Sequence, residues 1–510
     1  MKRPNILVFM TDQQRGDSIF TGTQAKMPNL ERFRSEGLTF THAYTVAPHC
    51  CPARATFFSG LYPSQHGVWN NVRFNNALTR GFYDGVRLFS EDLCEHYRML
   101  FSGKWHASDM ETPLHRGFDE FSEPVPQLGK RVTYYMGEIE KRQYCHTQPP
   151  TTNWKLYDSF VQRDRASRLP GEIIRQGYPP YYLYGEQDDL FQDQDVVDNA
   201  IKMLEKNSSG DKPWFCYIGT LGPHDPYFVP QKYLDMYSID DLKLPDNFVD
   251  KMKDKPAMYR RIRDLFDQLG ENEHREALRH YLAFCTFQDA LFGQVLDWLD
   301  KSGQAEDTLV IFLSDHGDYA GEHGLWCKGL ACFEGAYHIP LVMRWLGGIE
   351  NPGRTVDSFV TLADFAPTFL EISRITSNTV FAGRSLVPLL KEKPPEDWVN
   401  ELYTQTNGNE LYGIQRSVRT QEWKYVFNGF DYDELYDLQS DPGETVNLIG
   451  DVSKQPIVKE LCKKLWTFAF KNDDVCVHPY IFCGLASYGP GIICGEEHAE
   501  TSLNHSKETI

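Results

Sequence analysis

The chain has 510 residues, of which 41% are hydrophobic and 24% charged, with 52 Lys and Arg against 71 Asp and Glu and a net charge of −19. This composition excludes a disordered, collagen-like or repeat-only protein, and the length suits about two to four domains' worth of chain. The acidic balance excludes a general nucleic-acid binder, which needs a basic footprint, although a local basic pocket can sit inside an acidic surface.

In chain order, Met1-Lys2-Arg3-Pro4 leads at once into Ile6-Leu7-Val8-Phe9-Met10. That run is too short for a signal core and has no cleavage site behind it, so it reads as a buried strand over residues 5–10. No stretch reaches the ~18 apolar residues of a membrane helix. The twelve cysteines are scattered without the short repeated spacing of a zinc ribbon or a disulfide scaffold. Reduced thiols, no membrane partner and a cytoplasmic location are therefore expected. The first strand ends in Thr11-Asp12-Gln13-Gln14-Arg15, and a helix is predicted over 29–36.

The next distinctive segment is His49-Cys50-Cys51-Pro52-Ala53-Arg54-Ala55-Thr56-Phe57-Phe58-Ser59-Gly60. Pro52 suits the first turn of a helix. Cys50 then lies at the positive helix end, where its pKa falls and it can act as a nucleophile; a small buried hydrophobe is the bland alternative. Asn71 follows on a loop, as a donor to a substrate oxygen or as a simple turn residue. A strand is predicted over 98–101. Residues from about 124 to 192 lack periodicity and read as an insertion: a lid, an oligomer contact or a surface excursion. Its Tyr134, Tyr135, Trp154, Tyr181 and Tyr182 suit stacking on sugar or aryl rings, with packing as the alternative.

Helices over 193–206 and 281–301 then alternate with strands over 214–220, 308–313 and 341–343. The fold class is α/β: a large, mainly parallel sheet flanked by helices, with its chemistry at the carboxyl ends of the strands. The strand over 308–313 ends in Ser314-Asp315-His316-Gly317-Asp318. Either Asp alone would read as a helix cap. Together, Asp12, Gln13, Asp315 and His316 form a candidate cage for a divalent metal: Ca²⁺ by oxygen count, with Mn²⁺ or Mg²⁺ as alternatives. A linker near 391–396 divides a catalytic domain over 1–390 from a smaller C-terminal α+β subdomain over 398–510. The subdomain should hold a hairpin over 417–419 and 424–428, a strand over 433–438 and a helix over 458–470. Its apolar tail over 475–497 could join copies of the chain in a homo-oligomer.

Cys50-X-Pro52-X-Arg54, followed by Ser59-Gly60-Leu61-Tyr62-Pro63-X-X-His66-Gly67, resembles the type I, formylglycine-dependent sulfatases of the alkaline phosphatase superfamily. Gly103-Lys104-Trp105-His106, Gly222-Pro223-His224-Asp225-Pro226-Tyr227, Leu313-Ser314-Asp315-His316-Gly317 and Glu322-His323-Gly324-Leu325-Trp326-X-Lys328-Gly329 match further motifs of that family in order. Glu434-Leu435-Tyr436-Asp437-Leu438 with Asp441-Pro442 is similar to its C-terminal motif. The resemblance implies an alkaline phosphatase-like fold and hydrolysis of a small-molecule or carbohydrate sulfate ester to sulfate and an alcohol. It also implies one divalent cation and a Cys50 oxidised to formylglycine by a separate formylglycine-generating enzyme, or maturase. By this resemblance, the aldehyde hydrates. One hydroxyl, on the metal with Asp12, Gln13, Asp315 and His316, attacks sulfur; the other expels sulfate by re-forming the aldehyde. Arg54, one turn after Cys50, reaches back toward the diol. Lys104 and Lys328 hold the anion, His106 orients or deprotonates the diol, His224 protonates the leaving oxygen and Asn71 donates to the substrate. Asp12-Gln13 and Asp315-His316 are similar to the motifs of phosphonate monoester hydrolases and choline-sulfatase-like enzymes, so phosphonate or phosphodiester hydrolysis is the alternative. A sulfated-glycan binder with an unconverted Cys50 is the non-catalytic one.

Overall fold

The first apolar run forms β1 (Asn5–Thr11), and every residue of it is buried. In this computed structural model, which describes residues 3–20, 22–72, 77–124, 164–175, 181–391, 395–409, 411–474 and 485–494, β1 lies inside an eight-stranded sheet. The other strands are β2 (Leu38–Phe40), β3 (Arg98–Gly103), β4 (Glu120–Ser122), β5 (Trp214–Gly219), β6 (Thr308–Ser314), β7 (Leu341–Arg344) and β8 (Arg354–Val356), in the order β8-β2-β7-β6-β1-β5-β3-β4. All pairings are parallel except those of β7, which runs antiparallel to both of its neighbours. An antiparallel β7 is entered from the end at which β6 is left. The whole connection over 315–340 therefore stays at the carboxyl end of the sheet.

Side chains along β1 alternate between two cores, as the pleat requires. Leu7 and Phe9 pack against α1 (Pro28–Ser35), α3 (Asp193–Asn207) and α4 (Glu271–Lys301). Ile6, Val8 and Met10 pack against α2 (Cys50–Ser59) and α5 (Phe365–Ser373). The predicted helix over 281–301 begins earlier, at Glu271. Its first turns, Glu271-Asn272-Glu273-His274-Arg275-Glu276, are polar, so no apolar period marks them; good helix formers and the burial of Ala277 and Leu278 extend the helix.

Beyond the sheet, β9 (Leu402–Gly408), β10 (Tyr412–Arg419), β11 (Trp423–Asn428) and β12 (Glu434–Asp437) form an antiparallel sheet in that order. It is covered by α6 (Gln455–Lys471), whose Val458, Leu461, Leu465 and Trp466 meet Val418, Tyr425, Phe427 and Leu435. The predicted hairpin is β10–β11. β9 escapes prediction because its buried residues include Thr404, Gln405 and Thr406 rather than an apolar alternation. Leu402, Val426 and Tyr436 join Tyr44, Tyr259 and Phe333 in one core, which packs this sheet against the 315–340 connection.

Of the insertion, Glu172–Ile173 and Tyr181–Tyr182 form a short antiparallel pair; Tyr134, Tyr135 and Trp154 lie outside the described residues, as does most of the 475–497 tail. Tyr488, Ile492 and Ile493 pack on the subdomain that holds α6. Among the described residues, no helix is long and apolar enough to cross a membrane.

The ends of β3 and β5 meet at a pair of glycines, Gly103 and Gly219. Gly103 has φ 98°, and a Cβ there would lie 2.0 Å from the Gly219 carbonyl oxygen. Gly103→Ala should destabilise the chain by about 3 kcal/mol, from positive φ and the clash together. Thermal unfolding checks this, and an unchanged midpoint would contradict the close approach.

Candidate active site

Register places the two acidic residues side by side. Thr11 of β1 pairs with Ser314 of β6, so Asp12 and Asp315 follow at the same edge of two adjacent strands. The amino end of α2 faces them. Cys50 is its first residue, and the helix start has no cap from its own His49 side chain. Asn71 supplies one: its Oδ1 accepts the Cys51 N–H at 3.2 Å. The Cys50 Sγ lies 3.2 Å from His316 Nε2 and 3.6 Å from Asp12 Oδ1. One ligand atom each from Asp12, Cys50, Asp315 and His316 fall within 4.8 Å of one another, and all four residues are buried.

Arg54 organises this cluster. Its Nε donates to Asp315 Oδ2 at 2.8 Å and one Nη to Asp12 Oδ2 at 3.0 Å. The other Nη donates to Tyr217 Oη at 2.8 Å and to the Lys104 carbonyl at 3.0 Å. Guanidinium and carboxylates are wholly buried. Lys104 Nζ also donates to Asp12 Oδ2, at 2.5 Å. Burial alone would raise the Asp12 pKa; the positive charges of Lys104 and Arg54 hold it well below the usual carboxylate range. Burial would likewise lower the pKa of Lys104, and Asp12 raises it instead.

With both Oδ2 atoms occupied, the Oδ1 atoms face His316 Nε2, at 3.7 Å for Asp12 and 3.6 Å for Asp315. The His316 Nδ1 lies 2.9 Å from the Gly317 carbonyl, which assigns the proton to Nδ1 and leaves a lone pair on Nε2. Burial lowers the His316 pKa, only partly opposed by Asp315, and keeps the ring neutral.

A second group adjoins the first. Gln13 Nε2 donates to Asp318 Oδ2 at 2.6 Å and to Asp225 Oδ1 at 3.0 Å, and its Oε1 accepts from Lys328 Nζ. The amide oxygen predicted to face a metal is thus taken by a lysine. Lys328 Nζ also lies 2.6 Å from His224 Nε2, and the His224 Nδ1 meets the Asp225 carbonyl. Asp225 Oδ2 accepts from Tyr181 Oη at 2.8 Å. Burial opposes ionisation of Asp225, but His224 and Lys328 bring its carboxyl down to about 2. Burial would lower the pKa of Lys328, and the negative groups around it raise it. His106 stands two residues past Lys104, half-buried, with φ 48°.

The structure thus gathers Asp12, Gln13, Cys50, Arg54, Lys104, His224, Asp315, His316 and Lys328 at one end of the sheet, with Asn71 behind the helix start. The sequence reading gave no role to Tyr217, Asp225, Asp318 or Tyr227, whose Oη donates to Asp318 Oδ2 at 2.6 Å, and gave Tyr181 only ring stacking or packing. Asp225 and Asp318 adjoin motif histidines, which could have flagged them. Tyr217 sits inside a buried strand, where an aromatic residue signals only packing. The cluster combines a carboxylate pair, of which Asp315 Oδ1 also accepts the backbone N–H of His316 at 2.9 Å and of Gln13 at 3.2 Å, with a residue at a positive helix end and ammonium groups able to receive a tetrahedral anion.

Removing Arg54 would leave two buried carboxylates without their shared cation. Arg54→Ala should cost about 3–5 kcal/mol. Arg54→Lys should recover only part of that, because one ammonium cannot reproduce the planar fork. Chemical denaturation of the two variants measures both effects; full recovery by lysine would contradict the fork's role.

The family model for sulfatases matches residues 4–375, and that for the C-terminal part of N-sulphoglucosamine sulphohydrolase matches 321–471. The chain is 28% identical to an uncharacterized sulfatase, YidJ, of Escherichia coli K12, over 89% of this chain and 84% of that protein. It is 28% identical to a choline-sulfatase of Rhizobium meliloti, over 88% and 82%. The crystal structure of a phosphonate monoester hydrolase of Agrobacterium radiobacter shares the fold, with a TM-score of 0.72 and 23% identity over 92% of this chain and 96% of that one. With a sulfatase model spanning most of its length and its acidic, cysteine and basic motifs folded into one site, the chain belongs to the sulfatase family, sulfuric ester hydrolases of the alkaline phosphatase superfamily.

Proposed function

We propose that the chain hydrolyses sulfate esters with Cys50, converted to formylglycine, as its nucleophile, beside one divalent cation held by Asp12, Asp315 and His316. The observation that carries this reading is the approach of Cys50 Sγ to His316 Nε2 and Asp12 Oδ1 at the start of α2. The donor set fits a cation: two carboxylates whose Oδ2 atoms are already bound present Oδ1 toward a neutral imidazole nitrogen with its lone pair exposed. Oxygen donors put Ca²⁺ first, with Mn²⁺ or Mg²⁺ as alternatives, of which His316 favours the transition metal Mn²⁺. When bound, the cation supplies Lewis-acid polarisation and favours deprotonation of a hydroxyl next to it. Gln13 stands at the edge of this set, as a ligand only if Lys328 yields its amide oxygen.

The chain's own residues divide the remaining work. Lys104 and Lys328 hold the oxygens of the substrate anion as point charges. Arg54 binds both carboxylates and fixes their positions. The His224 Nε2 lies on Lys328, so the nitrogen that would carry a proton to the departing alkoxide stands beside the anion's cation. His106 is assigned the orientation of the hydrated side chain at residue 50. Asn71 secures the helix start through Cys51, and a donor role toward substrate falls to its amide nitrogen. Conversion by a formylglycine-generating enzyme, a cytoplasmic setting and self-association complete the proposal; the free thiols of the described cysteines support the second.

The second reading, phosphonate monoester or phosphodiester hydrolysis, draws on Gln13, a neutral amide next to Lys328. The same lysines can hold either tetrahedral anion. Two measurements test the first reading. The Cys50 peptide from a host with the modifying enzyme should be lighter, by loss of sulfur and two hydrogens against gain of one oxygen; an unmodified mass in an active preparation would overturn the nucleophile. On converted protein, kcat/KM should be greatest for 4-nitrophenyl sulfate among that ester, 4-nitrophenyl phenylphosphonate and bis(4-nitrophenyl) phosphate. A preference for either phosphorus ester would overturn the substrate class.

A further inference from the structure

Asp193 is the first residue of α3, yet it does not cap that helix. The Asp189 carboxylate does, accepting the N–H of Asp193 at 3.0 Å and that of Gln194 at 2.9 Å. The Asp193 side chain turns the other way and is wholly buried. Its Oδ1 accepts the Leu221 N–H at 2.7 Å, and its Oδ2 accepts the Gly222 N–H at 2.8 Å and Gln288 Nε2 at 2.9 Å. Among the described residues, no basic side chain neutralises it. Burial, with Asp189 nearby, pushes its carboxyl up to about 7. A desolvated carboxyl spent on two backbone amides is costly unless those amides must be held in place.

They belong to the turn that carries His224. The Leu221 carbonyl accepts the His224 N–H at 3.1 Å, so the peptide unit fixed by Asp193 leads directly to the histidine backbone. The Gly222 carbonyl in turn accepts the Asp12 N–H at 3.1 Å. Gly222 lies hard against α4: a Cβ there would come 2.2 Å from Gln288 Nε2 and from the Phe284 ring. The turn is therefore pressed onto α4 from one side and tied to α3 by one carboxylate. Asp12 has other anchors, in Arg54, Lys104 and its strand. The His224 ring, 26% exposed, meets Lys328 and the Asp225 carbonyl at its two nitrogens, and its backbone hangs on this turn.

We propose that Asp193 is a positioning residue for His224: its carboxylate fixes the Leu221–Gly222 amides and so sets where the imidazole stands beside Lys328. The proposal rests on the reading of His224 as the proton donor to the leaving group. Asp193 itself touches no substrate. Its effect should fall on the step that needs the proton, which matters more for a basic leaving group than for a stable one.

The test uses converted full-length protein carrying Asp193→Ala, Asp193→Asn, His224→Ala, and Asp193→Asn with His224→Ala, assayed on phenyl sulfate and 4-nitrophenyl sulfate. His224→Ala should lower kcat/KM for phenyl sulfate about 10²-fold, and about tenfold less for the nitrophenyl ester. Asp193→Ala should show the same selectivity. Asp193→Asn, which keeps one accepting oxygen, should show a smaller one. The double variant should add no selectivity to that of His224→Ala, because both changes remove the same placed proton. Equal losses on both esters in the Asp193 variants, with His224→Ala selective, would overturn the positioning role and leave the proton donor standing. Absence of selectivity in His224→Ala would overturn the proton donor and the proposal with it. Failure of both Asp193 variants to fold would also overturn the proposal, by making the clamp a requirement of the fold alone.

Discussion

One guanidinium holds the centre together. Two carboxylates at neighbouring strand ends would repel each other in a buried site, and water is not there to screen them. Arg54 resolves this by donating to one oxygen of each. The remaining oxygens then converge on His316 and Cys50. The same side chain also bonds the Lys104 carbonyl and Tyr217, so β1, β6, β3 and β5 are all referred to one planar group on α2. Geometry at Cys50 is thereby set by strand ends and by the helix packed on one sheet face rather than by any loop alone.

The sheet makes this arrangement available. Parallel strands send their carboxyl ends to one edge. The reversal at β7 keeps the long connection after β6 at that edge, with His316, Asp318 and Lys328 on it. The C-terminal sheet packs on the same connection through Tyr436, Val426 and Leu402. That contact gives the small sheet a role in holding Lys328's segment, although it contributes no residue to the cluster itself. Two basic groups, Lys104 and Lys328, reach the cluster through different partners: one is bonded to Asp12, the other to Gln13 and His224. The site thus sets three cations, Arg54, Lys104 and Lys328, among the side chains of Asp12, Asp225, Asp315 and Asp318, an arrangement that net charge cannot reveal.

Much of this was legible in the residues. β1 and β6 are apolar runs that end in Asp, and their parallel pairing follows from the alternation with helices. Pro52 marks the start of α2, and the spacing from Cys50 to Arg54 is one helical turn. Other features lay beyond reach for physical reasons. That Arg54 serves both carboxylates depends on the register of Thr11 with Ser314, which no local pattern encodes. Gln13 looked like a metal ligand by its place after Asp12, but its amide answers to Asp225, Asp318 and Lys328, all distant in sequence. Asn71 looked like a substrate donor, yet its oxygen caps α2 from a separate loop. β9 is buried through Thr and Gln side chains, so its pattern reads as surface. Asp193 reads as an ordinary first-turn acid of a helix, and only the fold shows which amides it holds.

The most direct measurement is crystallographic: anomalous difference density from converted protein grown with Mn²⁺ and sulfate. The account predicts a single strong metal peak bounded by Asp12 Oδ1, Asp315 Oδ1, His316 Nε2 and the side chain of residue 50, with sulfate oxygens on Lys104 and Lys328. An active preparation with no peak between those atoms, or with its metal elsewhere, would contradict it.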